Sequence, residues 1–194
     1  MDDMRLVDAV EDGRYNDVMT LLGDGVDVNA CRQETNDSVL MIACERGYTD
    51  IVRLLLDHNA DVTARNATQA SALHAAVSRD HVEALELLHQ HRIDLDTTDV
   101  NGVTALQLAV NRGYIRSTKM LLRYGACANS CDAGFRRAPL HDAVRRGDFR
   151  TAQMLLEKGA IVNSQVTDFV ILVSKQRSFK LPDVHRSCSS LFSC

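Results

Sequence analysis

The sequence APLHDAVRRGD, residues 138–148, occurs in close variants four more times upstream. The variants are MRLVDAVEDGR at 4–14, SVLMIACERGY at 38–48, SALHAAVSRDH at 71–81 and TALQLAVNRGY at 104–114. Each copy carries one leucine at the same place, and these motif leucines are Leu6, Leu40, Leu73, Leu106 and Leu140. Successive motif leucines are 34, 33, 33 and 34 residues apart. A fixed period of this length is typical of a stacked repeat protein.

Residues 104–130 show what one unit contains. Thr104 is placed to cap a short apolar helix, and Gly113 ends that helix because glycine adopts the left-handed C-cap conformation without steric cost. A second apolar helix is predicted from about Ile115 to Arg123 and stops at Gly125. Helices this short are unstable alone in water, so each unit must bury its apolar face on the next one.

The repeated phrases resemble a known family. The tripeptides ALH at 72–74 and PLH at 139–141, the leucine-rich second helices and DVNA at 27–30 resemble the ankyrin repeat. The resemblance covers about residues 1–164. It implies an all-α ankyrin-repeat solenoid of stacked helix-turn-helix units with short β-hairpin-like turns. We expect five repeats with boundaries near 1–32, 33–65, 66–98, 99–131 and 132–164.

The third repeat departs from the common pattern. Asp80 and Arg92 stand where most other copies have the glycines that end the two helices. A non-glycine residue in the left-handed conformation costs roughly 1 kcal/mol, and less for Asp than for Arg. We therefore expect this repeat to be the least regular. Neutral drift explains the departure, and the alternative is a specialised contact region at residues 89–96.

Composition and charge exclude several classes of function. The 194 residues carry a formal charge of −4, so we expect no nucleic-acid partner, because phosphate binding needs a basic surface. The charge is uneven, at −5 over residues 1–32 and +2 over residues 131–164. The apolar runs are far too short for membrane insertion, and no secretory leader opens the sequence. We expect reduced cysteines, a cytoplasmic and/or nuclear location, and a monomer.

No pattern of catalytic or metal-binding residues emerges. The glycines of GDGVDVN at 23–29 lack the Lys-Ser/Thr pair of a phosphate loop. His81, His89 and His91 lie close in the sequence, but no cysteine is near enough to complete a zinc site. Cys127 and Cys131 have no second pair at zinc spacing. We expect no cofactor, no bound metal and no enzymatic activity.

An arginine follows the motif leucine by six residues in four of the five repeats. These arginines are Arg46, Arg79, Arg112 and Arg146. Asp12 takes the place in the first repeat, and Arg145 widens the column in the fifth. The resemblance implies that this position lies on the concave side, where partners bind. The column is then a site for carboxylates or phosphates, for instance on an acidic or extended segment of another protein. The alternative is that a cation merely complements the dipole at the end of a helix.

Two further sets of residues are candidates. The hairpin tips, which are rich in turn-forming residues, are expected to contact the partner. Their candidates are Gln33, Asn66, Thr68, Asp99, Asn101, Arg136 and Arg137. The resemblance also implies that Asn29, Asn129 and Asn163 are substrates of an oxygen-dependent asparaginyl hydroxylase. The alternative is that these asparagines only stabilise their turns.

Residues 165–194 do not repeat. They are interpreted either as a divergent C-terminal cap or as a disordered tail. The expected function is non-catalytic protein–protein interaction through the concave face and the hairpin tips. Two alternatives stay open: a substrate-recruiting adaptor of a ubiquitin ligase, and the regulatory ankyrin fragment or isoform of a longer protein.

Overall fold

The computed structural model describes residues 2–132 and 137–162. Within those ranges the chain forms ten α-helices, and one consecutive pair falls inside each of the five predicted repeats. The helices are α1 (Asp2–Glu11), α2 (Tyr15–Gly23), α3 (Val39–Arg46), α4 (Thr49–Asp57), α5 (Ala72–Ser78), α6 (Val82–Gln90), α7 (Ala105–Arg112), α8 (Ile115–Tyr124), α9 (Pro139–Arg146) and α10 (Phe149–Glu157). The predictions for residues 133–136 and 163–194 lie outside the described residues.

The helices form two layers. The first helices of the pairs pack on one another in chain order, α1 on α3, then α5, α7 and α9. The second helices do the same, from α2 through α4, α6 and α8 to α10, and each packs on the first helix of its own pair. The motif leucines lie between the layers, and each is at most 1% exposed. An aliphatic core that runs continuously through the stack is therefore the main source of stability.

Short hairpin-like loops join one pair to the next. Antiparallel bridges link Cys31 to Ser38 and Thr98 to Thr104, at the base of two of these loops. Thr104 also caps α7, since its hydroxyl accepts a 3.2 Å hydrogen bond from the amide of Gln107, as predicted. Neighbouring tips are joined through their backbones, for example by the 2.9 Å hydrogen bond from the Val100 amide to the Thr68 carbonyl.

Glycine ends α3 for two reasons. Gly47 has a φ of 75°, in the left-handed region that favours glycine. The His81 ring from the next pair lies so close that a Cβ on Gly47 would clash with it. The Tyr48 ring lies in the same way against Gly13, where an added Cβ would be 2.8 Å from the ring. Gly13 and Gly47 therefore also serve the contact between repeats.

The third pair is less regular in one respect. Helix α5 has seven residues, ends at Ser78, and leaves Arg79 as its C-cap. Asp80 and Arg92 both adopt the left-handed conformation, with φ values of 60° and 58°. The Asp80 side chain accepts hydrogen bonds from the amide and the hydroxyl of Ser117. The chain thus keeps the turn without glycine and gains a contact to the following repeat.

Candidate partner-binding surface

The arginine column lies at the ends of the first helices. Arg46, Arg112 and Arg146 are the last residues of α3, α7 and α9, and all three are exposed. Arg79 is exposed as well, but it lies one residue beyond α5. Arg79 is the C-cap residue of α5, so it too lies at the end of a first helix. We call the five residues Arg46, Arg79, Arg112, Arg145 and Arg146 the arginine row.

Three members of the row contact the preceding repeat, two of them through a backbone carbonyl. Arg112 donates from Nη1 to the Ser78 carbonyl at 2.5 Å, and Arg146 donates from Nη1 to the Asn111 carbonyl at 2.9 Å. Both carbonyls lie at the C-terminal end of the preceding first helix, where backbone acceptors lack helical partners. Arg79 instead contacts the Glu45 carboxylate at 3.4 Å. Arg112 and Arg146 therefore each cap a backbone carbonyl of the preceding first helix, and their contact with a partner stays a prediction.

Arg46 differs from the other three. The equivalent acceptor in the preceding repeat is Glu11, but that carboxylate accepts from Arg32 Nε at 2.8 Å. This hydrogen bond raises the pKa of Arg32, which also contacts Asp37. Across the described part of the chain, Arg46 has no side-chain hydrogen bond or ion pair. It is therefore the member of the row with the fewest contacts to lose when a partner binds.

Arg145 lies beside the row on α9. Its Nη2 atom contacts the Asp142 carboxylate at 3.3 Å. The Asp142 side chain is only 4% exposed, whereas that of Arg145 is 57% exposed. The pair therefore neutralises a buried carboxylate from the surface side, and a change at Arg145 would leave Asp142 with its charge uncompensated.

The tip residues divide into turn-forming and exposed ones. Asn66 Oδ1 accepts from the amides of Thr68 and Ala70, while its Nδ2 donates to Asp37 at 2.7 Å. Asp99 Oδ1 likewise accepts from two backbone amides, those of residues 101 and 103. Both side chains therefore stabilise their turns, and their contact with a partner stays a prediction.

The remaining tip residues differ in exposure. Gln33, Thr68 and Asn101 are exposed, and Thr68 also donates to Asn66 Oδ1 at 2.8 Å. Arg137 is half-buried, and its carbonyl accepts from Gln107 Nε2 at 2.6 Å. Arg136 lies outside the described residues. Gln33 and Asn101 are thus the tip side chains most available for contact.

Two of the three asparagines predicted as hydroxylation sites bridge neighbouring repeats. Asn29 Oδ1 accepts from the Asp61 amide at 2.8 Å, and Asn129 Oδ1 accepts from the Ile161 amide at 2.8 Å. Asn129 Nδ2 also donates to the Gly159 carbonyl. Asn163 lies outside the described residues. Asn29 and Asn129 therefore stabilise their turns, as the alternative interpretation required, and their hydroxylation stays a prediction.

The histidines and cysteines that sequence analysis considered do not converge on a site. His81 lies against Gly47, and the His89 ring stacks on Tyr124 at a centroid distance of 3.8 Å. Cys44 is fully buried, which raises the pKa of its thiol. Residues 2–132 and 137–162 contain no group of three or more His, Cys, Asp or Glu side chains placed to hold a metal ion.

No described helix has both the length and the apolar composition needed to cross a membrane.

The family model described as "Ankyrin repeats (3 copies)" matches residues 6–99 and 93–166. No curated protein matches the chain closely enough to add a relative. The matched residues cover most of the sequence, and the ten described helices form the two-layered all-α stack that the resemblance implied. The chain belongs to the ankyrin-repeat family.

Proposed function

We propose that this protein is a non-catalytic interaction module whose arginine row binds an acidic, extended segment of another protein. Ankyrin repeats are protein–protein interaction modules. The arginine row is the feature of this chain that indicates which chemical groups on a partner it binds. The observation that carries the proposal is the spacing of exposed guanidinium groups, one or two per repeat, along the ends of α3, α5, α7 and α9.

The contacts of the row favour binding for an energetic reason. Guanidinium groups carry five N–H donors, and the hydrogen bonds of Arg112 and Arg146 to backbone carbonyls each use one Nη1 atom. The other donors can bind a carboxylate while the side chain is already held in place. Prior ordering of this kind reduces the conformational entropy that is lost when a partner binds. Gln33 and Asn101 would extend the contact to the hairpin tips.

The proposal is tested by quantitative affinity purification with three baits. The first is the intact chain, and the second carries R46E and R79E, two changes in the row that disrupt neither a backbone contact nor the pair with the buried Asp142. The third is a matched control with R53E and R123E, because these arginines are exposed on the second helices. Circular dichroism confirms that all three fold. Loss of partners from the second bait alone supports the proposal, and equal capture by all three baits contradicts it.

Two further observations separate the alternatives. A cullin-type scaffold among the captured proteins favours the ubiquitin-ligase adaptor. A transcript that continues past Gln165 into more repeats favours a fragment of a longer protein. Either result leaves the arginine row as the surface that contacts the recruited protein.

Hydroxylation of Asn29 and Asn129 is a separate proposal that rests on the family. Asn29 is exposed, and its side-chain amide is the acceptor of one hydrogen bond from the next repeat. Peptide mass spectrometry of the protein from oxygenated and oxygen-deprived cells tests it. The addition of one oxygen atom to the Asn29 peptide in oxygenated cells alone is the expected result.

A further inference from the structure

Charge changes steadily along the ends of the first helices. The residues five and six positions beyond the motif leucine form a rim pair at the end of each first helix. In chain order the rim pairs are Glu11–Asp12, Glu45–Arg46, Ser78–Arg79, Asn111–Arg112 and Arg145–Arg146. Their formal charges are −2, 0, +1, +1 and +2. The rim is therefore a graded dipole, acidic at α1 and basic at α9.

Neighbouring charges weaken this gradient but keep its sign. At the α1 end, ion pairs connect Glu11 to Arg32 and on to Asp37, and they connect Asp12 to Arg14 and on to Asp17. Those four carboxylates and two arginines sum to −2. At the α9 end, Asp142 offsets one of the two arginines and leaves +1. The two ends of the rim thus remain opposite in charge.

The length of the rim sets the length of segment that can span it. Packed helices are separated by about 10 Å, so five stacked first helices extend over about 40 Å. An extended chain advances about 3.3 Å per residue, and about 12 residues therefore span the rim. A segment that is acidic throughout this length would meet repulsion at the α1 end.

We propose that the segment bound by this rim is itself dipolar. In the bound segment, a basic cluster contacts Glu11 and Asp12 of this protein. An acidic cluster, about 12 residues away along the segment, contacts Arg145 and Arg146. This inference rests on the proposed function and adds to it the charge pattern and the orientation of the partner segment. Like charges at either end would disfavour the reverse orientation, so the gradient fixes the polarity of binding.

The test uses three fluorescein-labelled synthetic peptides of equal length. The block peptide has three lysines, a neutral Gly/Ser spacer and three glutamates. The mixed peptide alternates the same six charged residues, and the acidic peptide has glutamates at both ends. Fluorescence anisotropy is measured with the full chain at about 0.01 M ionic strength, where the Debye length is about 30 Å. We expect the block peptide to bind about fivefold more tightly than either of the others.

Variants make the result specific to the rim. The double variant E11Q/D12N should abolish the preference for the block peptide over the acidic peptide. The control D2N/D3N removes the same charge from the start of α1 and should preserve that preference. An acidic peptide that binds the intact chain as tightly as the block peptide overturns the dipolar inference and leaves the proposed function standing. If no peptide binds, or if R46E with R79E leaves the binding of every peptide unchanged, both the dipolar inference and the proposed function are overturned.

Discussion

Asp80 Oδ1 accepts a 2.5 Å hydrogen bond from the hydroxyl of Ser117, a residue 37 positions away in the next repeat. The same oxygen accepts from the Ser117 amide at 3.2 Å, within the first turn of α8. Asp80 is the left-handed residue that replaces a helix-ending glycine, and Ser117 is fully buried. The departure at Asp80 is therefore compensated by a contact with Ser117 across a repeat boundary.

Replacing Asp80 with glycine should destabilise the protein, although glycine is the common residue at this position. Glycine relieves left-handed strain of about 1 kcal/mol. It also removes a charge-assisted hydrogen bond and leaves the buried Ser117 hydroxyl without a partner, which costs about 1.5–3 kcal/mol. Urea denaturation should show a net loss of about 1 kcal/mol. The double change D80G and S117V removes the unpaired hydroxyl and should recover that loss. A D80G variant as stable as the parent would contradict the compensation.

The members of the arginine row should differ in their effect on stability. R112A and R146A each remove a hydrogen bond to a backbone carbonyl and should lower the free energy of unfolding by about 1 kcal/mol. R46A removes no such contact and should change it by less than about 0.5 kcal/mol. Chemical denaturation of the three variants side by side measures this. Equal losses for all three would mean that the described hydrogen bonds do not distinguish them.

Protonation of His74 should make the protein less stable in mild acid. Its ring is buried, its Nε2 lies 2.9 Å from the Val103 carbonyl, and burial lowers its pKa. A lowered pKa means that the unfolded chain binds the proton more readily. The contribution of His74 is therefore complete above the unfolded pKa of about 6.5 and declines as the pH falls below it.

H74Q is the matched control for that pH dependence. Gln107 occupies the equivalent position in the next repeat, and its Nε2 donates to the Arg137 carbonyl at 2.6 Å, so glutamine can make the same contact without titrating. The free energy of unfolding of H74Q should fall less between pH 7.5 and pH 5.5 than that of the parent. Parallel pH profiles for the two proteins would show that His74 contributes nothing to the pH dependence.

Asn29 should be replaceable by aspartate but not by alanine. Its Oδ1 accepts from the Asp61 amide, and Asp96 accepts in the same way from the Cys127 amide at 2.7 Å at the equivalent place in the third repeat. N29A should therefore cost about 1 kcal/mol, whereas N29D should be close to neutral. Thermal or urea denaturation compares them. A neutral N29A would remove the bridging role.

The sequence was sufficient to predict the repeat, the helices and the buried leucines, because these depend on periodic apolar residues and on glycine stops. It did not predict which arginines are engaged, since the acceptors of Arg112 and Arg146 are carbonyls about 34 residues upstream. It also did not separate Asn66 and Asp99, whose side chains hold their turns, from the more exposed tip residues, because the residue types that favour turns are also those expected at contact surfaces. The pairing of Asp80 with Ser117 depends on how two repeats stack, which no local pattern encodes.

Site-specific photo-crosslinking identifies the face of the protein that the partner contacts. One variant carries a photo-crosslinking amino acid at Asn111, an exposed rim residue, and the other carries it at Glu86, an exposed residue of the second-helix layer. We predict that the captured partner crosslinks to position 111 and not to position 86. Crosslinking at position 86 without crosslinking at position 111 would contradict it.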